Sequence, residues 1–345
     1  MHTMVYHISM RIGIDISPLA GRRTGVGHYT DHLLKHLLRL THDPGAPKRE
    51  FIGFASGLSP IVLDDELDEF PYRRLPVPTR LLYRLWSTLG VPRVDSLLGG
   101  LDVFHATNYF LPPTQRARRV VTIHDLAVLT MPDVCSPKIR RVFGKNLPRF
   151  ARSADAILTC SEATKADIVR LLDVLPEKIT VAHHGRNEDL VHMNREHAVR
   201  QIKERYEFEG PFILFVGTLE PRKNIPGLLR AFSKIANDVP HTLILAGGLG
   251  WQAMTLFDAI RQNNLTERVR LTGYIGDLDD LAALYSAADA FVFPSLYEGF
   301  GLPLLDAMTC GTPIVAANNS AIPEVVGDAG ILVDANDHDA MAEAI

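Results

Sequence analysis

Cysteine is scarce in this chain. Cys135, Cys160 and Cys310 are an odd number with no close spacing. That excludes a disulfide framework and a zinc ribbon and fits a reducing cytosol. Long apolar runs are missing too: none reaches the ~18 residues that would suggest a spanning helix. The opening MHTMVYHISM lacks the basic region and apolar core of a secretory signal. Met10 reads as an alternative start to Met1, because the first strand follows it at once. The glycine loop after that strand, 21–27, lacks the G-x-G-x-x-G pattern, and no acidic residue stands where a dinucleotide ribose would need one, which disfavours a nicotinamide oxidoreductase. The histidines, including His183 and His184, form no metal-ligand pattern, so no metal and no cofactor are expected. Strong net charge is also absent: the formal balance is −4, with 46% apolar and 22% charged residues. Such a composition is ordinary for a soluble protein, and 345 residues suggest about two domains of ~150.

The distribution of charge is less even than its total. Residues 70–152 hold fourteen Arg and Lys against four Asp and no Glu, a balance of +10. Two segments there, 80–86 and 138–152, mix cations with apolar and aromatic residues. Such segments can lie on an anionic membrane surface. Equally, they can be helices that turn their apolar side inward and solvate their cations, and Pro148 argues against one long surface helix. No recognised nucleic-acid motif accompanies the charge, so no nucleic-acid partner is expected.

Short apolar stretches alternate with amphipathic ones throughout, which is the pattern of parallel sheets covered on both faces. Strands are predicted at 11–16, 51–54, 103–105, 120–124, 156–159 and 179–181, with helices at 27–39, 138–152 and 162–172. The stretch 184–210 is polar and without strand signal. The alternation then restarts with strands at 213–216, 242–245, 269–271, 290–293, 313–315 and 331–333. The predicted organisation is a domain at 10–185, an interdomain segment at 186–210 and a second domain at 211–345.

Two motifs in the second half carry the chemistry. In PSLYEGFGLPLLDAM, residues 294–308, a strand runs into a carboxylate, Glu298, and a Gly299-Phe300-Gly301 turn. Leu302 and Pro303 follow, where a helix can begin, and its N-terminus would offer free N–H groups to an anion or to sugar oxygens. Asp306 adds a second acceptor. In FILFVGTLEPRKN, residues 212–224, a strand ends at Gly217, and Arg222 and Lys223 follow beside a helix start. Two cations there suit a diphosphate, because open α/β sheets bind ligands at strand carboxyl ends. The plainer readings are an ordinary strand-turn-helix and a solvated basic pair.

The run EGFGLPLLDAM resembles the Glu, seven residues, Glu signature of the retaining glycosyltransferases of family 4. The second carboxylate here is Asp306, one methylene shorter than the family's usual Glu. The resemblance implies an α/β GT-B fold, two Rossmann-like parallel-sheet domains facing a cleft. It also implies a sugar-nucleotide donor held mainly by the second domain and an acceptor held by the first. By that resemblance Arg222 and Lys223 bind the diphosphate, Glu298 and the 299–301 turn hold the transferred sugar, and Asp306 meets the ribose. Tyr274 and Ile275 stand near the nucleobase. Gly25 and Gly27 border the diphosphate, and His124, at the end of the strand 120–124, stands close to the sugar. Glu298, His124, Arg222 and Lys223 are the candidate catalytic residues. His105 and Asn108 are weaker acceptor-side candidates, with a structural role as the alternative, and Ser161 reads as a helix cap.

The opening RIGIDISPLAGRRTGVGHYT is most like bacterial mannosyltransferases of polysaccharide assembly, which makes GDP-mannose the first donor expected and a UDP-sugar the alternative. Family members continue into a final helix that this chain lacks. That difference, with Asp306, favours a rival reading as a non-catalytic sugar-nucleotide-binding scaffold. The location expected is the cytoplasm, with peripheral contact at the inner face of the membrane through the basic first domain.

Overall fold

A computed structural model describes residues 9–21, 25–41 and 47–345. Met1, Arg22 and Arg23 therefore lie outside the described residues. The described chain divides into two compact units, one of residues up to 124 with 141–159 and 165–182, the other of 125–140, 160–164 and 183–345.

In chain order the elements up to residue 182 are β1 (Met10–Asp15), α1 (Gly25–Thr41), β2 (Arg49–Ser56), β3 (Tyr72–Leu75), α2 (Thr79–Thr88), α3 (Val94–Leu97), β4 (Val103–Ala106), β5 (Arg118–Thr122), α4 (Ala127–Thr130), α5 (Pro137–Ser153), β6 (Ala156–Thr159), α6 (Glu162–Leu172) and β7 (Ile179–Val181). Their strands form one parallel sheet in the order β3-β2-β1-β4-β5-β6-β7. Then follow α7 (Arg195–Tyr206), β8 (Phe212–Val216), α8 (Ile225–Ile235), β9 (Thr242–Ala246), α9 (Met254–Gln262), β10 (Val269–Gly273), α10 (Leu278–Ala287), β11 (Ala290–Phe293), α11 (Leu302–Thr309), β12 (Ile314–Ala317), α12 (Ile322–Val326), β13 (Gly330–Val333) and α13 (His338–Ala344). Their sheet, also parallel, has the order β10-β9-β8-β11-β12-β13.

The second sheet shows why its strands read as continuous apolar runs. Successive side chains on a strand point to opposite faces, and both faces here are covered. Phe212 and Leu214 of β8 join one core with Phe291 and Phe293 of β11, beneath α10 and α11. Ile213 and Phe215 join the other, with Leu228 and Phe232 of α8 and Met341 of α13. This two-sided burial fixes the loops at the carboxyl ends of β8 and β11, where both motifs lie.

Several expectations need correction. The edge strand β3 was not expected, because its sequence YRRL is mostly exposed and cationic. Pro148 sits inside α5, which runs unbroken from Pro137 to Ser153. Helix α1 begins at Gly25, so Gly27 is a buried helical residue rather than part of a glycine loop. Among the described residues no helix is long and apolar enough to cross a membrane.

Candidate functional site

The strand order of the second sheet reverses between β8 and β11. At such a point the loops after the two strands diverge and leave a crevice at their carboxyl ends. Arg222 and Lys223 occupy it from one side, on a single 3-10 turn, Pro221–Lys223, ahead of α8. Glu298 enters from the other. Its carboxylate accepts from Arg222 Nη1 at 2.7 Å and from Lys223 Nζ at 2.5 Å. Arg222 also donates to the Tyr297 carbonyl at 2.9 Å and, through Nη2 and Nε, to Glu220 Oε1 at 3.0 and 3.2 Å. The Leu296 N–H closes the ring on the Arg222 carbonyl at 2.9 Å. Lys223 Nζ lies 5.0 Å from the Phe293 ring centroid, a cation over an aromatic face.

Burial alone would raise the Glu298 pKa, but the charges of Arg222 and Lys223 outweigh it and bring the group down to about 2. Glu298 is therefore ionised at neutral pH. Burial would lower Arg222, but Glu298, Asp125 and Glu220 hold it firmly charged. Lys223 is pressed down by burial and by Arg222, against the opposing pull of Glu298. The cluster sets two cations against two carboxylates, and it is nearly neutral without a ligand. An incoming diphosphate would compete with Glu298 for the cations.

Backbone geometry holds the crevice open. Gly301, with φ 107°, takes a conformation that side chains rarely adopt, and it leads into α11 with Pro303 in the first turn. The loops after β8 and β9 touch: a Cβ on Gly247 would stand 1.9 Å from the Gly217 carbonyl oxygen, so position 247 requires glycine. Gly217 N–H donates to the Ala246 carbonyl at 2.9 Å, and Leu219 N–H to Gly248 at 2.9 Å. The Gly299 carbonyl accepts from Ser161 Oγ at 2.7 Å. Ser161 Oγ also accepts the Thr164 N–H at 3.0 Å, so the residue caps α6 as its sequence suggests. Phe300 is buried, with its ring centroid 5.0 Å from that of His184. Leu302 opens α11 half-buried.

Asp306 sits apart from this cluster. On α11 its charge acts on Tyr285 and Cys310, adding to the burial that already raises both. Burial pushes Asp306 itself up to about 7 from an ordinary 3.8. A carboxyl whose folded pKa is raised favours folding below its unfolded pKa and loses that advantage as pH rises through the folded value. In the ligand-free protein, Asp306→Asn should therefore match wild type near pH 4. At pH 8 it should be more stable by about 1–3 kcal/mol. Urea unfolding at pH 4, 6 and 8 measures the gap, and a gap independent of pH would mean that the carboxyl titrates normally.

The other candidates of the second unit stand at the end of β10. Tyr274 is exposed and Ile275 packs partly against the core. In the first unit, His124 lies two residues past the end of β5, and its Nε2 donates to the Thr107 carbonyl at 2.8 Å. That bond fixes the tautomer and leaves Nδ1 as the acceptor of the neutral ring. Its ring meets Tyr29 edge-on at 4.8 Å. His105 falls inside β4 rather than at its end. It is 7% exposed, with Nε2 2.8 Å from Thr122 Oγ1, and burial and His124 lower its pKa to about 4. A buried neutral ring in that position braces the sheet, which is the structural alternative its sequence left open. Asn108 accepts the Tyr109 N–H at 2.8 Å and borders a cavity. Gly25, the first residue of α1, is exposed.

Sequence reasoning missed two contributors. Glu220 anchors the Arg222 guanidinium, and only its place two residues before Arg222 hinted at it. Ser320, in the left-handed region at φ 49°, accepts the Glu298 N–H at 2.9 Å and donates to Asn319 Oδ1 at 2.9 Å. No local signal marks a residue 22 positions downstream. Among the described residues, no group of three or more His, Cys, Asp or Glu is placed to hold a metal ion.

Comparison with known proteins adds the family. Residues 23–190 match Glycosyltransferase Family 4 and residues 199–345 match Glycosyl transferases group 1. The chain is 38% identical over 248 residues to O-antigen chain mannosyltransferase B of Escherichia coli, covering 70% of this chain and 64% of that one. It thus spans less than two thirds of that relative's length. Sucrose-phosphate synthase from Thermosynechococcus elongatus has a similar structure, with a TM-score of 0.73 at 22% identity over 97% of this chain and 88% of that one. Anabaena HepE in complex with UDP-glucose has a TM-score of 0.70 at 19% identity, again over 97% and 88%. These likenesses show a GT-B fold, and the chain carries a glycosyltransferase family 4 domain followed by a group 1 glycosyl transferase domain.

Proposed function

We propose that the chain is a retaining hexosyltransferase, moving a sugar from a nucleotide-sugar donor to a glycan or lipid-linked acceptor in cell-surface polysaccharide synthesis. The observation that carries this reading is the Arg222–Lys223–Glu298 cluster at the switch point of the second sheet. Departure of a nucleoside diphosphate builds negative charge, and two preorganised cations in a crevice stabilise it. Glu298 and the Gly299–Gly301 turn would hold the sugar hydroxyls, and His124 would stand by the transferred sugar. Tyr274 and Ile275 would border the base, and Asp306 the ribose. GDP-mannose is the first donor proposed, because the Escherichia coli relative is a mannosyltransferase. Cationic side chains and helix termini would bind the diphosphate in place of a metal, with no cofactor. Peripheral contact with an anionic cytoplasmic membrane face is supported by the first unit's exposed Arg80 and Arg84 beside Leu81, half of whose surface is open.

A thermal-shift screen of sugar nucleotides tests the donor, since a ligand that binds only the folded state raises the melting temperature. GDP-mannose should give the largest shift, and transfer from it should survive EDTA. A larger shift with a UDP-sugar would replace the donor. No shift with any sugar nucleotide would overturn the reading, and loss of activity in EDTA restored by magnesium would overturn the metal-free phosphate site.

A further inference from the structure

The first unit holds a second constellation, of which only Asn108 figures above. At the carboxyl ends of β1 and β2 lies a cavity of about 210 Å³, lined by Asp15, Ser17, Ser56, Thr79, Tyr83 and Asn108 among others. At about 30 Å³ of liquid per water it has room for roughly seven waters, on the scale of one sugar ring. Its polar groups are incompletely used. The Asp15 carboxylate has hydrogen bonds only to Ser17 among the described residues, the backbone N–H at 2.9 Å. A charged carboxylate in such a setting accepts two or three. Burial raises the Asp15 pKa, as an underserved carboxylate predicts. The Tyr83 hydroxyl has no hydrogen bond among the described residues. Burial, and then Asp15, pushes its pKa up, which places the two acid groups near each other. The Tyr83 ring is not free to turn away, because it stacks on Phe110 at 3.6 Å and 5°. Asn108 spends its carbonyl on Tyr109, and among the described residues its amide N–H groups make no hydrogen bond.

The lining decides the ligand class. Among the described residues it contains no Lys, Arg or His, so none of them offsets Asp15 for an anion. An ammonium would satisfy the carboxylate, but it offers no acceptor to the hydroxyls and the amide. A polyol supplies donors and acceptors together. We propose that this cavity is a polyol subsite that seats one neutral sugar ring of the acceptor, with Asp15 accepting from a ring hydroxyl and Tyr83 hydrogen-bonded to a neighbouring one. The word acceptor rests on the transfer reading above, whereas the binding of a neutral sugar rests on the cavity alone.

The test titrates methyl α-D-mannopyranoside into the full chain, read by saturation-transfer NMR, for wild type, Asp15→Ala and Tyr83→Phe. The glycoside should bind wild type. Affinity should fall about tenfold or more in Asp15→Ala and about three- to tenfold in Tyr83→Phe, the scales for losing a charged and a neutral hydrogen bond. Tyr83→Phe keeps the stack on Phe110, so it decides the matter even if Asp15→Ala misfolds. No binding to wild type, or unchanged affinity in the folded variants, overturns the subsite. Sugar-nucleotide melting shifts, measured alongside, should be the same in all three proteins. Glycoside binding lost in the variants without any nucleotide shift in wild type would sink the transfer reading and leave the subsite standing. Nucleotide shifts and transfer with glycoside binding unaffected would do the reverse.

Discussion

Replacing Arg222 or Lys223 by alanine is expected to lower turnover by ~10²–10³, the scale of losing one preorganised electrostatic contact to charge that develops in the reaction. Affinity for the free nucleoside diphosphate should fall in both variants, since the same cations would hold the ground-state phosphates. The two should differ in what else they disturb. Arg222 spreads its planar fork over Glu220, the Tyr297 carbonyl and Glu298. Among the described residues Lys223 bonds Glu298 alone, and it rests over Phe293. Arg222→Lys should therefore be nearly as damaging as Arg222→Ala, because an ammonium cannot reproduce the fork. Initial rates with the donor identified by the melting screen, and titrations of its nucleoside diphosphate, measure both effects. Wild-type rates in both alanine variants would remove these residues from the reaction.

The two motifs were legible because each is local. An apolar strand, a glycine turn and a helix start occupy about a dozen consecutive residues, and the strand–helix alternation told of parallel sheets. Their meeting was not legible. Residues 222 and 298 are 76 positions apart, and only the β8–β11 pairing brings their loops together. A basic pair in sequence thus reads as solvated, or as waiting for phosphate, when in the fold it is already neutralised. Ser320 stayed invisible for the same reason. The end of β4 was off by one residue, which places His105 inside the strand as a buried brace. The helix predicted at 138–152 stands with Pro148 inside it, because the proline in a helix is a cost and not a prohibition. Strand β3 hid its type behind two arginines, since an exposed edge strand need not be apolar.

Glu298→Gln should lower stability by about 3–5 kcal/mol near neutral pH, because it leaves two largely buried cations with only the less direct charges of Asp125 and Glu220 to balance them. The pH dependence separates this from a packing defect. A carboxyl whose folded pKa is depressed contributes stability above its unfolded pKa and loses it as pH falls through the folded value. Glu298 is held at about 2 against an ordinary 4.5. The gap between wild type and Glu298→Gln in urea unfolding should stay constant above about pH 5 and narrow as pH falls toward 2. Turnover should fall as well, by ~10²–10³, since the sugar loses its expected acceptor. Affinity for the nucleoside diphosphate should move the other way from Arg222→Ala: it should hold or rise, because the cations no longer serve an internal carboxylate. Those opposite signs give Glu298 to the sugar and Arg222 to the phosphates. If Glu298→Gln instead weakens the nucleoside diphosphate as much as Arg222→Ala does, Glu298 acts by positioning the two cations, and the hydroxyls of the transferred sugar must find their acceptor elsewhere.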